Sequence, residues 1–388
     1  MPLADAFAPR QGCKPLSQLD RPLEVIRQFT PNWFAVTMGT GILALALAAF
    51  PLPLPGLRQI AESLWLLNAL LFTLFAGLYV ARWLLFFDEA RQVFAHATVS
   101  MFFGTIPMGL ATLINGLLLF GLPRWGEAVV PVALGLWWLD AAMALACGVL
   151  IPYLMFTRQE HRIDQMTAVW LLPVVAAEVA AASGGLLVPH LAAGEQFTVL
   201  IASYVLWAYS VPVALSLLVI LLLRLALHKL PPASMAVSSW LALGPIGTGA
   251  LGLLVLGSDA PAVLAAHGLA VVGEVAQGLG LLGAVLLWGL GLWWLALALL
   301  ITGRYARQGM PFNLGWWGFT FPLGVYALTT LRLGEALATP FFTGLGAVLV
   351  VALVLLWTLV ASRTLAGAYR GGLFVSPCIA HLCQKATA

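Results

Sequence analysis

Ten stretches of this chain have the length and apolar character of bilayer crossings, and that feature decides what the chain can fold into. They run at about 33–50, 60–87, 98–120, 128–156, 166–190, 196–227, 235–257, 268–302, 313–334 and 340–362. Each meets the roughly 20 residues that a helix needs to cross the hydrocarbon layer. In that layer an unpaired backbone group finds no water, so crossings are helices or closed barrels, and these runs have helical length. A hydrophobic content of 62%, a charged content of 9% and a mean hydropathy of +1.00 are incompatible with a soluble core. The expected fold is an all-α polytopic membrane protein. Residues 1–31 read as a cytosolic N-terminal tail, 32–363 as a ten-helix transmembrane domain and 364–388 as a cytosolic C-terminal tail.

The loops test the count independently. With the N-terminus inside, fifteen of the eighteen Lys and Arg fall on the cytosolic side, and only Arg58, Arg124 and Arg332 fall outside. That bias requires an even number of crossings and places both termini in the cytosol, with the plasma (inner) membrane as the expected location. The N-terminal tail lacks the apolar core of a secretory leader. The net charge of +3 reflects loop placement and implies no nucleic-acid partner.

A repeat shows through the helices. Four of the five odd spans carry a proline about 8 to 10 residues from their cytosolic start, namely Pro107, Pro173, Pro245 and Pro322, and the first span has Gly39-Thr40-Gly41 at matching depth. Prolines so placed predict kinks near mid-membrane. Interrupted backbone at that depth has to line a cavity or be buried by protein. The pattern predicts five helical hairpins in a quasi-fivefold arrangement, odd helices lining a central pore and even helices forming a sleeve. Proline and glycine are also common in membrane helices generally, and Pro152 and Pro212 fall in even spans.

Motifs for other chemistry fail their context tests. Gly247 to Gly252 and Gly278 to Gly283 both spell GxGxxG, yet neither follows a strand. There is no Walker lysine motif and no HExxH, and the six histidines are scattered. Cys378 and Cys383 around His381 have irregular spacing and read as reduced bystanders rather than a zinc site, and Cys147 reads as a small apolar residue. No metal, no cofactor and no enzymatic activity are expected. A non-transporting membrane scaffold or sensor would recruit partners through its tails, which are short and plain.

Three motifs carry a resemblance. Phe29-Thr30-Pro31-Asn32-Trp33-Phe34 with Met38-Gly39-Thr40-Gly41-Ile42, then Phe103 to Gly109 with Ile114-Asn115, and finally Asn313 to Gly324 resemble the tellurite-resistance/dicarboxylate-transporter family. That family includes plant slow anion channels, fungal sulfite-efflux pumps and yeast malate permeases, and the opening motif, SMFFGTIPMGLATLIN and LWWLDAAMALACG look most like the sulfite-efflux branch. The resemblance implies transport of small anions, most of all sulfite efflux, with C4-dicarboxylate (malate) permeation, in one form proton-coupled, as the alternative. It also implies a homotrimer whose protomers each hold a pore. That pore is occluded by a phenylalanine on the ninth span, whose match here is Phe321.

Physics supplies a rationale for such a gate, since a phenyl ring in an apolar throat excludes water and any hydrated anion, and a modest rotation reopens it. Phe321 can equally be a packing residue, Phe319 points to another face, and Phe102 and Phe103 could add a second ring. No Lys or Arg falls in the middle of an odd span. Donors would be backbone N–H groups near Gly104, Pro107, Pro173, Pro245 and Pro322 and the hydroxyls of Thr40, Thr105, Thr248 and Thr320, each of which can instead bond back to its own helix. Asp140, Glu178 and Glu274 lie in apolar runs, where a carboxylate is functional or partnered. Glu178, on an odd span, should be protonated, partnered or turned toward an outer helix, and could couple anions to protons. Arg332 is placed at an outer vestibule.

Overall fold

The computed structural model describes residues 15–379, and among them every regular element is helical. The principal helices are α1 (Phe34–Ala48), α2 (Leu57–Leu85), α3 (Thr105–Gly116), α4 (Val129–Thr157) and α5 (Leu172–Leu187). They continue with α6 (Ala193–His228), α7 (Leu243–Ala265), α8 (Ala270–Gln308), α9 (Thr320–Ala336) and α10 (Pro340–Arg370). Eight helical segments are long and apolar enough to cross a membrane. One of them, Val99–Thr157, is 59 residues long and contains two of the expected passes. It turns at Gly126, where φ is 70°, and α3 packs back on α4. The expected ninth pass is not among the eight. It carries Thr320, Thr329, Thr330 and Arg332 and is almost wholly buried in protein, where a helix needs no apolar outer face.

Odd and even helices divide into two layers. Of the most apolar stretches, 78–94% is buried within the protein for α1, α5 and α7, against 22–33% for α2, α6, α8 and α10. The inner helices contact one another in the order α1, α3, α5, α7, α9 and back to α1, so the ring closes. Each outer helix lies against its own inner partner and one further inner helix. The stretches at both ends of the described chain meet on one face, called here the terminal face. There Leu16 N donates to Tyr369 O (2.7 Å), Ser376 N donates to Gln28 Oε1 (2.8 Å), and Trp33 stacks on Phe374 (4.8 Å).

Every inner helix is preceded by a 3₁₀ segment: Pro31–Trp33, Val99–Gly104, Ala168–Leu171, Ala233–Ala242 and Leu314–Phe319. Two are capped by side chains, since Thr167 Oγ1 accepts from Val169 N (3.4 Å) and Asn313 Oδ1 accepts from Gly315 N (2.8 Å). This changes the meaning of the four repeated prolines. Pro107, Pro173, Pro245 and Pro322 stand in the first turn of α3, α5, α7 and α9, at the junction where each 3₁₀ segment runs on into the α-helix. The preceding 3₁₀ turn ends there, so the proline ring stands where the hydrogen-bonding pattern changes. The irregularity is a switch from 3₁₀ to α, and proline fits its start.

Lipid tails are as apolar as leucine, so close packing and hydrogen bonds hold such helices together rather than a hydrophobic driving force. One hydrogen bond recurs five times. Trp65 of α2 donates its indole N–H to Leu113 O of α3 (3.2 Å), Trp137 of α4 to Ala180 O of α5 (2.8 Å), and Trp207 of α6 to Gly249 O of α7 (2.9 Å). Trp288 of α8 donates to Thr330 Oγ1 of α9 (3.0 Å), and Trp357 of α10 to Thr40 Oγ1 of α1 (3.1 Å). Each outer helix thereby latches onto the inner helix of the next hairpin, and the last latch returns to the first. Small residues let the inner helices approach. A Cβ on Gly104 would lie 2.1 Å from the Leu172 carbonyl oxygen, between the α3 and α5 segments.

Gly104→Ala should therefore destabilise the protein by about 1–3 kcal/mol, because the obstruction is backbone and cannot rotate away. Gly289→Ala on α8, where a Cβ meets nothing within 4 Å, should leave stability unchanged. Thermal unfolding of the purified variants checks the pair, and equal midpoints would contradict the packing described.

Candidate functional site

The ring encloses two chambers that share no lining residue. The terminal chamber, about 350 Å³, is walled by the 3₁₀ segments and first turns, including Met38, Phe102, Thr105, Leu172, Leu241 and Gly318. Gly372, Leu373, Val375 and Pro377, which follow α10, contribute to its wall, and no charged side chain does. The opposite chamber, about 580 Å³, is walled by the far halves of the inner helices, including Ile42, Thr112, Asn115, Val179, Thr248 and Phe321.

Helical periodicity explains which side chains face inward. On the first inner element Ala35, Met38, Ile42 and Leu45 line one chamber or the other, and on the ninth Leu314, Gly318, Phe321, Val325 and Leu328 do. These spacings of three and four trace one stripe on each helix. On the seventh span the stripe runs from Leu241 of the 3₁₀ segment, in the terminal chamber, to Thr248 and Leu251 of α7 in the opposite one. Gly244 stands between them, is buried, and would carry a Cβ with nothing within 4 Å. The level between the chambers thus has free space beside Gly244. Phe321, 2% exposed, forms part of the opposite chamber's wall next to that level.

The sequence-derived candidates divide by this geometry. Phe102 and Thr105 line the terminal chamber, and Thr248, Phe321 and Arg332 line the opposite one. The others face neighbouring helices. A Cβ on Gly39 would meet Thr320 Oγ1 at 2.2 Å and one on Gly41 would meet Thr112 Oγ1 at 1.9 Å. Thr40 accepts from Trp357, Thr320 donates to Trp317 O (2.7 Å), and Phe103 stacks on Phe94 (5.1 Å). Gly104 abuts Leu172, and Pro107, Pro173, Pro245 and Pro322 occupy first turns, lining neither chamber. Hydroxyl bonding also separates the threonines. Thr105 Oγ1 donates to Phe102 O (2.7 Å), whereas Thr248 Oγ1, in a residue 1% exposed, has no protein partner. Thr248 is thus a residue of the chamber wall whose buried hydroxyl has no protein partner. Asn115 beside it in the same wall keeps an unpartnered Oδ1. Met38, Gly244 and Asn115 fell inside the sequence motifs and clusters but were not among the expected lining residues, although the i, i+3, i+7 stripe reaches Met38 and Gly244.

Charge is confined to the rims and to the layer between inner and outer helices. Arg58, His190, Arg332 and Glu335 line the opposite chamber. Arg58 Nη2 donates to Leu119 O (3.0 Å), and Arg332 pairs with Glu335 (2.9 Å). Glu178 lines neither chamber. Its Oε2 lies 3.3 Å from Ser210 Oγ of outer helix α6, and its Oε1 is buried without a partner. Asp140 on α4 is fully buried with both oxygens unpartnered, and Glu274 is exposed near the start of α8. Cys378 is buried and free, while Cys383 and His381 lie outside the described residues.

Comparison with known proteins adds what geometry alone does not say. The profile of the voltage-dependent anion channel family (SLAC1) matches residues 28–365. The chain is 40% identical over 342 residues to the sulfite efflux pump SSU1 of Arthroderma benhamiae, covering 87% of this chain and 90% of that protein. The sulfite efflux pump SSU1 of Trichophyton rubrum matches to the same extent. The malic acid transport protein of Schizosaccharomyces pombe is 24% identical over 346 residues, 86% of this chain and 77% of that protein.

Thr248→Val keeps the side-chain volume and removes the hydroxyl, so anion flux in liposomes should fall about 2- to 10-fold, the worth of one hydrogen bond. Gly244→Leu should abolish flux while leaving the unfolding temperature in place, because its side chain enters free space. Undiminished flux in Gly244→Leu would remove Gly244 from the axis.

Proposed function

Because the chain belongs to the voltage-dependent anion channel (SLAC1) family, which the tellurite-resistance/dicarboxylate transporters share, we propose that it exports sulfite. The observation that carries this reading is the 40% identity, across 87% of the chain, to proteins named as sulfite efflux pumps. The anion moves along the ring axis from the terminal chamber to the opposite one, and Phe321 is the movable gate between them. The axis supports a small anion moving passively. Thr248 of the opposite chamber's wall keeps an unpartnered hydroxyl, no cation stands between the rims, and the carboxylate of Glu178 is held off the axis against α6. Weak sites of this kind favour throughput over tight binding.

A C4-dicarboxylate is the second reading. The opposite chamber, at about 580 Å³, has room for one, and a malic acid transport protein is among the relatives at 24% identity. Two carboxylates would be served best by two cations along the axis, and Arg58 and Arg332 both stand at one chamber. The same reading has the protein as a homotrimer in the plasma (inner) membrane with both termini cytosolic. Arg82, Arg158, Arg224 and Arg307 at the terminal-face ends of the outer helices support that orientation.

The test is flux of sulfite, malate, nitrate and chloride through purified protein in liposomes, with and without a pH gradient. Phe321→Ala should raise passive flux of the small anions tenfold or more, with Phe321→Leu intermediate. Should Phe321→Ala change nothing while malate moves only with protons, both the gate and the cargo are wrong.

A further inference from the structure

A third cavity, about 450 Å³ and lined in part by charged side chains, opens on the terminal face. It shares Thr98, Val169 and Met235 with the terminal axial chamber, so single side chains form the wall between the two. Its charged groups are not equivalent. Arg162 and Asp164 pair with each other at 3.1 Å in an exposed position, and Glu160 is exposed. Arg224 is 3% exposed and forms no ion pair among the described residues. Its Nη1 donates to Lys229 O (2.6 Å), its Nη2 donates to Asp164 O, and its Nε has no acceptor. Carbonyl oxygens orient this guanidinium, and no carboxylate among the described residues lies within ion-pair distance of it. A buried charge is felt far more strongly than an exposed one, which water and salt screen.

We propose that this cavity is an antechamber that binds a small oxyanion beside Arg224 before the anion passes into the terminal axial chamber. The inference rests on the reading of the chain as an anion transporter. It answers a need of that chamber, which has no charged side chain in its own wall and cannot concentrate anions by itself. A guanidinium suits a trigonal or tetrahedral oxyanion because its N–H groups form a planar fork. Trp170 lines the cavity with its ring set edge-on to His161 (5.1 Å), and burial keeps the His161 imidazole below its usual pKa.

Binding of sulfate, a redox-inert oxyanion, to the purified full-length protein at low ionic strength tests the assignment by calorimetry and by tryptophan fluorescence. Arg224→Gln should weaken binding at least tenfold and Arg224→Lys less, and Trp170→Phe should remove the fluorescence change without removing the heat. Arg224 also ties two loop carbonyls, so the decisive variant is the exposed Glu160→Gln. Losing that repelling charge should tighten binding about three- to tenfold. It should also lower, by the same factor, the sulfite concentration needed at the terminal face for half-maximal flux. Unchanged or weaker binding in Glu160→Gln overturns the antechamber. Binding that responds as stated in a protein that moves no anion overturns the transport reading instead and leaves the site standing.

Discussion

The indole hydrogen bond that each outer helix makes to the inner helix of the next hairpin is the interaction on which the rest of this structure depends. In a bilayer, leucine facing lipid and leucine facing leucine are nearly equal in free energy, so apolar surface does not tell a helix which neighbour to choose. A directed N–H does. Trp65, Trp137, Trp207, Trp288 and Trp357 each reach past their own hairpin, and the bond from Trp357 to Thr40 returns the sequence of contacts to the first helix. Closure of the ring follows from that last bond together with the contact between α9 and α1. An axis exists only because the ring is closed.

Closeness of the ring explains why so many inner-helix residues are small. Gly39 faces Thr320 and Trp317, Gly41 faces Thr112 and Asn68, and Gly104 faces the backbone at Leu172, each within a distance no Cβ tolerates. These residues set the width of the axis without lining it. The side chains that do line it belong to one stripe per helix, so the wall is apolar with a few hydroxyl and amide groups. The consequence for anions is a path with little to hold them. Charged side chains line the opposite chamber, at Arg58, Arg332 and Glu335, and Glu178 and Asp140 line neither chamber.

The terminal face is built differently from the opposite one. There the inner helices begin as 3₁₀ segments, and buried arginines on the outer helices hold the loops that lead into them. Arg82 donates to Phe29 O and to Ser376 Oγ (3.2 Å), and Arg224 donates to the carbonyls of Lys229 and Asp164. A guanidinium has enough donors to bind several carbonyls at once, which suits it to anchoring irregular backbone. The charge it brings is left over, and it sits beside chambers through which anions are proposed to move.

The sequence by itself determined the fold class and the near-correct ends of the ten principal helices, because length and hydropathy of each run are local properties. It also determined that Phe321 and Thr248 belong to the inner layer. It read the prolines as mid-helix kinks and could not show that they mark the passage from 3₁₀ to α, since where the 3₁₀ segment ends is fixed by packing of the lead-in turns. It grouped Gly39, Thr40, Gly41 and Thr320 with the wall because depth along a helix is legible from spacing, whereas azimuth is not. Only tertiary structure decided which face of each inner helix turns to the axis, and it did so through the five indole bonds. Those bonds join residues 42 to 317 positions apart, and no local pattern records such a pairing.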